Sequence, residues 1–400
     1  MEELKEGWRR VKLGEIGDIV TGKTPSTKEK DNFGAEYLFL TPKDMKGEKN
    51  IYLTERNVSK IGVLKLLKQI IKPDSVCVSC IGSDMGKVCI VKKKCITNQQ
   101  INSITNIKNS FDYRYIYYKL SKMKEFFHNM AGGTTMPIIN KTLFSEIIIE
   151  VPPLETQEKI ASILSALDDK IEINNEMNKT LEEMAQTLFK RWFIDFDFPN
   201  ENGEPYRSSG GKMVNSELGE IPEGWEVEEL GKISTLSAGG DKPQSFSKIQ
   251  TSDYTIPIYS NGVENEGLYG FTNEAKIFEK GITVSARGTI GYICLRQVPY
   301  VPIVRLVSII PNVNVLSSEY LYYYLKKVEI HSTGTTQQQL TVPQFKRTKI
   351  LIPNFEVLKI FTEKVESMIN LLEKNKSENK NISLIRDTLL PKLMSGEIEI

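Results

Sequence analysis

Histidine is almost absent: His128 and His331 are the only two in 400 residues. With so few imidazoles, His-based metal centres and nucleophile–His triads are nearly excluded. Cysteine is scarce too, at Cys77, Cys80, Cys89, Cys95 and Cys294. Cys77-x2-Cys80 has the spacing of half a zinc site. It falls in Asp74-Ser-Val-Cys-Val-Ser-Cys-Ile, which alternates like a strand. On a strand, residues three apart point to opposite faces, so the two thiols are expected to diverge. Cys89 and Cys95 are not at finger spacing either, and free buried thiols in a reducing compartment are expected. No apolar run reaches the roughly 18–20 residues that span a bilayer. Met1-Glu2-Glu3-Leu4-Lys5 has no signal-peptide core. With 40% hydrophobic and 26% charged residues, the chain is expected to be globular and cytoplasmic, without a membrane partner.

Net charge is also small, at +1, but it is unevenly spread. Residues 1–150 hold 25 Lys/Arg against 17 Asp/Glu, an excess of eight, whereas residues 219–352 hold 13 of each. A basic first third suggests a polyanionic partner.

What the sequence does have is a repeat, the feature that decides the fold reading. Gly7-Trp8, Leu13-Gly14 and Ile16 return as Gly224-Trp225, Leu230-Gly231 and Ile233, shifted by 217. Val78-Ser79 and Gly82 return as Val284-Ser285 and Gly288, shifted by 206, and Tyr115-Ile-Tyr-Tyr as Tyr320-Leu-Tyr-Tyr, shifted by 205. Gly133-Thr134-Thr135 and Pro152 return as Gly334-Thr335-Thr336 and Pro353, shifted by 201. The falling shift reads as small deletions in loops of the second copy.

A heptad seam closes each copy. Ile160, Leu164, Leu167, Ile171, Asn174, Asn178, Leu181, Ala185, Leu188 and Trp192 step by four and three without a break. The second copy places Phe361, Val365, Met368, Leu372, Asn375, Asn379, Ile382, Arg386, Leu389 and Leu393 at the same positions. The seam is symmetric about residue 176, so an antiparallel pair would set Asn174 beside Asn379 and Asn178 beside Asn375. Buried seam asparagines fix register at a cost in stability. Arg386 alone breaks the apolar pattern, and is expected to meet a partner chain or to reach out to solvent.

The expected fold class is therefore α+β. Two tandem mixed α/β domains, residues 1–153 and 219–353, are each followed by a long helix, over 154–195 and, with a tail, over 354–400; the two helices pack as an antiparallel coiled coil with pseudo-twofold internal repetition. Strands are expected at Ile51–Leu53, Val76–Cys80, Val88–Val91 and Ile147–Val151, with a Tyr-rich helix over Tyr113–Asn129. Residues 196–218, with Pro199, Gly203, Pro205, Ser208-Ser209 and Gly210-Gly211, read as a flexible linker.

Catalytic motifs are not evident. Gly82-Ser-Asp-Met-Gly86-Lys87 is one residue short of a P-loop, and Val88 replaces its hydroxyl residue. Val151-Pro152-Pro153-Leu154 lacks the polar and aromatic flanks of an adenine-methyltransferase loop, and Asp74 with Asp84 and Lys87 has the wrong spacing for a nuclease. No catalytic residue, resident metal or cofactor is expected.

Binding features are richer. The candidates for DNA contact are Lys43, Ser83, Lys87, Lys92, Lys93, Lys94, Gln99, Thr134 and Thr135 in the first copy. In the second they are Arg287, Thr289, Thr335, Thr336, Gln337, Gln338 and Lys346. Lys and Arg neutralise phosphates, Gln and Asn bond adenine edges, and Arg bonds guanine.

Leu218-Gly-Glu-Ile-Pro-Glu-Gly-Trp225, Leu389-Leu-Pro-Lys-Leu-Met-Ser-Gly-Glu-Ile398 and Pro152-Pro-Leu-Glu-Thr-Gln157-Glu-Lys-Ile160 together resemble the specificity (S) subunit of type I restriction–modification systems. The first looks like that family's opening to a target-recognition domain, the second like its C-terminal ending, and the third like the start of its central helix. The resemblance covers essentially the whole chain. It implies that each domain reads one half of a split double-stranded DNA site. The helices would act as a spacer and dock two modification (M) subunits that hold S-adenosylmethionine and methylate adenine. Restriction (R) subunits using ATP and Mg would join them, and the S chain itself would do no chemistry. A helix of about 33 residues spans roughly 50 Å, which bounds the half-site separation near 15 base pairs at about 3.4 Å each. A coiled-coil adaptor without a DNA role is the alternative, separable by whether the assembled complex binds DNA in a salt-dependent way.

Overall fold

The computed structural model describes residues 4–130, 138–327 and 341–400. Thr134, Thr135, Thr335, Thr336, Gln337 and Gln338 lie outside the described residues. The chain divides into two compact units, residues 1–175 with 376–400, and residues 176–375. Two helices, Leu154–Phe193 and Phe355–Met394, are each 40 residues long and give about half their length to each unit.

In the first unit, a five-stranded sheet runs in the order Asp18–Thr21, Ile101–Thr105, Ser75–Ser79, Val88–Val91 and Asn50–Ile51. Its first four strands are antiparallel neighbours, and the fifth pairs parallel. A second five-stranded sheet contains Tyr37–Leu40 and Cys95–Thr97 as a parallel pair. The terminal strand Arg9–Lys12 pairs with Ile148–Val151, which leads into the central helix.

Both faces of Ser75–Ser79 are covered, which is why this strand carries no exposed residue. Val76, Val78 and Cys80 belong to the core that also holds Tyr115, Ile116, Ile160 and Leu164. Cys77 belongs to a different core, with Cys89, Cys95 and Leu40. The two thiols of the Cys-x2-Cys pair therefore face apart, as the period of two requires. The Tyr-rich segment forms two helices rather than one, Tyr113–Ser121 and Lys124–Met130. The first is capped by the Asp112 carboxylate, which accepts from the Arg114 and Tyr115 amides.

In the second unit, the corresponding sheet is four-stranded: Ser234–Ala238, Val307–Pro311, Gly281–Val284 and Ile293–Arg296. A three-stranded sheet holds Leu268–Thr272, Ile256–Tyr259 and Val301–Pro302, and Glu226–Glu229 pairs with Lys349–Ile352.

Residues 196–218 are not the flexible linker that their composition suggests. Phe198 stacks on Tyr206 and Trp225, with ring centroids 4.6 and 5.0 Å away, and Phe196 meets Trp225 edge-on. The Arg207 amide donates to the Phe196 carbonyl, and Met213–Ser216 forms a hairpin with Gly219–Pro222. Pro and Gly here make turns, while three aromatic rings supply the apolar area that holds them.

The long helices pair antiparallel within each unit. In the first unit, Asn174 Nδ2 donates to Asn379 Oδ1 at 2.8 Å and to Glu378 Oε2 at 2.8 Å, and Asn379 Nδ2 donates to Asn175 Oδ1 at 2.9 Å. In the second, Asn375 Nδ2 donates to Asn178 Oδ1 at 2.9 Å. These are the pairs that the seam arithmetic sets side by side. Ile160, Leu164 and Val365 are buried, and Leu167, Ile171, Leu181, Leu188, Met368, Leu372, Ile382 and Leu389 are half-buried. Within the chain the Arg386 guanidinium bonds Asp168 at 2.8 Å, inside the first unit. The repeat equivalents of this ion pair are Ile369 and Ala185, both in the buried core of the second unit.

The start of the central helix has a physical role for one residue. Gln157 is fully buried; its Nε2 donates to the Pro152 carbonyl at 2.9 Å, and its Oε1 accepts from the Asp112 amide at 3.1 Å. It locks the helix start to the turn that caps the Tyr-rich helix.

Candidate nucleic-acid interface

Strand direction sorts the candidate residues into two groups. In the first unit, Asp18–Thr21 and Ser75–Ser79 end, and Val88–Val91 and Ile101–Thr105 begin, on the same sheet end. That end carries Lys23, Thr24, Ser83, Lys87, Gln99 and Gln100. Thr24 Oγ1 donates to Gln99 Oε1 at 2.6 Å, and the Cys80 amide donates to the Gln100 carbonyl at 2.7 Å. The Asn98 amide donates to the Leu40 carbonyl, which brings the exposed Lys43 turn to the same region. Gly22 permits this convergence, since a Cβ there would lie 2.2 Å from the Asn98 carbonyl oxygen.

Lys92, Lys93 and Lys94 follow the other end of Val88–Val91 and so lie at the opposite end of the sheet from Gln99, despite their nearness in sequence. Lys92 is committed internally: its ammonium pairs with Asp74 and sits 5.1 Å from the centre of the Tyr113 ring. Burial opposes its charge, but Asp74 and the Tyr113 hydroxyl outweigh burial and raise its pKa. Lys93 and Lys94 are exposed.

The Gly82–Lys87 segment is a turn, not a phosphate cradle. The last three of its amides are spent on closing the turn: Met85 donates to Gly82, Gly86 to Ser79 and Lys87 to Asp84. Lys87 Nζ pairs with Asp84 at 2.7 Å, leaving Ser83 exposed at the tip. The second unit repeats the closure. Ser79 and Gly86 bond to Lys87 and Ser79, and Ser285 and Gly291 bond to Tyr292 and Ser285, in the same pattern.

In the second unit the equivalent sheet end carries Arg287 and Thr289, both exposed. It also carries two residues that sequence reasoning missed, Asn261 and Arg305. Asn261 Oδ1 accepts from the Ala286 amide at 2.7 Å, and its Nδ2 donates to the Val304 carbonyl at 2.6 Å. One side-chain amide thus ties together the loops before Arg287 and before Arg305. The Gly239 and Gly240 carbonyls accept from the Arg305 and Val304 amides at 2.8 and 2.9 Å. Gly239 is the repeat mate of Gly22 and serves the same close approach: a Cβ would lie 2.7 Å from Pro302. Lys346 does not join this group. It packs against Gly231, at the other end of Ser234–Ala238. A signal for Arg305 existed in the repeat, because the loop that holds Asn98-Gln99-Gln100 in the first copy holds Ile303-Val304-Arg305 in the second.

The scaffold behind these loops is fixed by buried polar contacts. In the first unit the Tyr118 hydroxyl donates to Asp168, which also receives Arg386; burial and the Asp168 charge push the phenol pKa up. In the second unit Glu182 accepts from Tyr323 Oη at 3.1 Å and Lys326 Nζ at 2.7 Å. Burial of Glu182 raises its pKa, yet Lys326 and Gln186 outweigh it, and the net shift is downward. Among the described residues no group of His, Cys, Asp and Glu is arranged to hold a metal ion.

Two tandem domains, each closed by half of an antiparallel helix pair and each ending in tethered polar loops, can be compared with known proteins. A family model, the type I restriction modification DNA specificity domain, matches residues 5–183 and again residues 222–383. The chain belongs to this family. The Type I restriction enzyme MjaIX specificity subunit of Methanocaldococcus jannaschii is 30% identical over 423 residues, which cover 100% of this chain and 95% of that one. The Type I restriction enzyme HindI specificity subunit of Haemophilus influenzae is 29% identical over 343 residues, 68% of this chain and 74% of that one. The crystal structure of a type I restriction-modification S subunit from M. genitalium matches with a TM-score of 0.67 at 17% identity, covering 98% of both chains. That likeness is one of fold. The loops at the sheet ends of both units lie within the two matched segments. No helix among the described residues is long and apolar enough to cross a membrane.

Proposed function

We propose that this specificity subunit reads a bipartite double-stranded DNA site, one half with each unit, and that it does no chemistry of its own. The observation that carries the reading is the repeated sheet end. In both units a glycine just after the first sheet strand lets a second loop approach, Asn98-Gln99-Gln100 in one and Ile303-Val304-Arg305 in the other, and a closed turn presents small polar or basic side chains beside it. Base edges are read by such short side chains on fixed backbone, and phosphates by the surrounding lysines. The long helices, 40 residues each, set the gap between half-sites and offer their outer faces to two modification subunits. Exposed apolar side chains on these helices, Ile173 and Leu384 in the first unit and Met177, Met184 and Leu371 in the second, are suited to a helical partner.

S-adenosylmethionine is held by those modification subunits, and ATP and Mg by restriction subunits that join the complex. This chain holds no cofactor, and it works in the cytoplasm. The test is to map methylated adenines in cells that express the cognate modification subunit with and without this chain. A split motif with a fixed gap, present only with this chain, is the expected result. Absence of any chain-dependent methylation, together with no salt-sensitive DNA binding by the purified complex, would leave a coiled-coil adaptor as the better reading.

A further inference from the structure

We propose that Arg305 reads a guanine edge in the half-site contacted by the second unit. This rests on the DNA-reading function proposed above and adds a residue to it. The first support is backbone conformation. Val304 and Arg305 both lie in the left-handed region, at φ +53° and +60°. A β-branched residue there is an outlier, and such conformations persist only where the surroundings over-determine them, most often at functional sites.

The surroundings do so here. The Val304 and Arg305 amides donate to Gly240 and Gly239, the Val304 carbonyl accepts from Asn261, and the Leu306 amide closes back onto Ile303 at 3.1 Å. The root of the Arg305 side chain is therefore fixed from three directions, while the side chain itself is exposed. Among the described residues its guanidinium forms no ion pair or hydrogen bond, although Arg296, in the same unit, is fully engaged with Thr283 and Glu266.

The second support is convergence. Asn261 holds Val304 and Ala286 on opposite ends of one amide group, so Arg287 and Arg305, the residues that follow them, start from neighbouring points. In the first unit the same loop position holds Gln100 beside Gln99, again residue types that bond base edges. A guanidinium rooted on fixed backbone and uncommitted within the chain is a planar fork that pairs with guanine O6 and N7 through two parallel bonds, a geometry that the point charge of lysine matches less well.

The experiment uses the full chain in complex with its modification subunit and reads methylated motifs across a genome. Arg305→Ala is expected to relax one position of one half-site by about tenfold to a hundredfold, leaving the other half-site and the gap unchanged. Arg305→Lys is expected to relax the same position, and it decides the matter if the alanine variant fails to assemble. An unchanged motif would overturn the proposal. So would a uniform loss of methylation across all sites with the salt slope reduced by about one, which marks a phosphate contact. A wild-type complex with no chain-dependent motif would overturn the DNA reading itself, and this proposal with it.

Discussion

At the scale of single residues, burial decides what each scarce side chain does. All five cysteines are buried and free. Burial raises the Cys80 thiol to about 11, and burial with the neighbouring Cys77 raises Cys95 well above the ordinary value. Thiolate is the reactive form, so the native chain is expected to show no reaction with Ellman's reagent at pH 8 and five equivalents in guanidinium; a fast-reacting native thiol would contradict this burial. Asn174 illustrates a buried polar group whose amide nitrogen has two partners while its Oδ1 has none. Asn174→Ala strips Asn379 and Glu378 of a donor and is expected to lower stability by about 1–3 kcal/mol, read as a fall in the unfolding midpoint. The diverging thiols and the asparagine layer were legible in the sequence, because both follow from local periodicity. Asn261 was not, and Arg305 only as the repeat mate of Gln100. Their positions depend on carbonyls at Gly239 and Gly240 and an amide at Ala286, and no short-range pattern encodes such meetings.

At the scale of elements, the helices were the most legible part. The expected spans 154–195 and, with a tail, 354–400 compare with Leu154–Phe193 and Phe355–Met394, since long heptad patterns leave little ambiguity. The segment 196–218 was misread because its turn residues outnumber its anchors, although Phe196, Phe198 and Tyr206 outweigh them by packing on Trp225. The seam also holds a deliberate asymmetry. Asp168 and Arg386 form an ion pair where the second unit has Ile369 and Ala185. Asp168→Ala leaves Arg386 with Asp387 alone and deprives Tyr118 of its acceptor. The expected loss is about 1–3 kcal/mol. The double change Asp168→Ile with Arg386→Ala, which places the other unit's residues at these two positions, is expected to recover the share due to the stranded Arg386 but not the share due to Tyr118. A thermal double-mutant cycle measures this, and additive losses would mean that the two residues are not coupled.

At the scale of the whole molecule, the function proposed for the helices makes their length a quantity to vary. Removing one heptad from each helix shortens it by about 10 Å, or about three base pairs at 3.4 Å each. The methylated motif is expected to keep both half-sites and lose about that much from its gap, or the complex to lose activity because the shortened gap no longer fits one face of DNA. An active complex with an unchanged gap would reject the spacer role. The repeat made this organisation readable from sequence, but the grouping of candidate residues was not. Lys92–Lys94 and Gln99 are near in sequence and at opposite ends of a sheet, because one short strand, Cys95–Thr97, carries the chain from one end to the other.

The division of residues between the units has a consequence for the order in which the protein is made. The second unit is one continuous stretch, 176–375, and has all of its core once that stretch has left the ribosome. The first unit is interrupted. Its core includes Leu390, Leu393 and Met394, which pack in the same cluster as Ile160, Leu164 and Tyr115. The domain synthesised first is therefore the one completed last. Until residue 394 emerges, the half-helix 154–175 waits with its apolar stripe uncovered, a period in which a nascent chain depends on chaperones or on its future partners to stay out of aggregates.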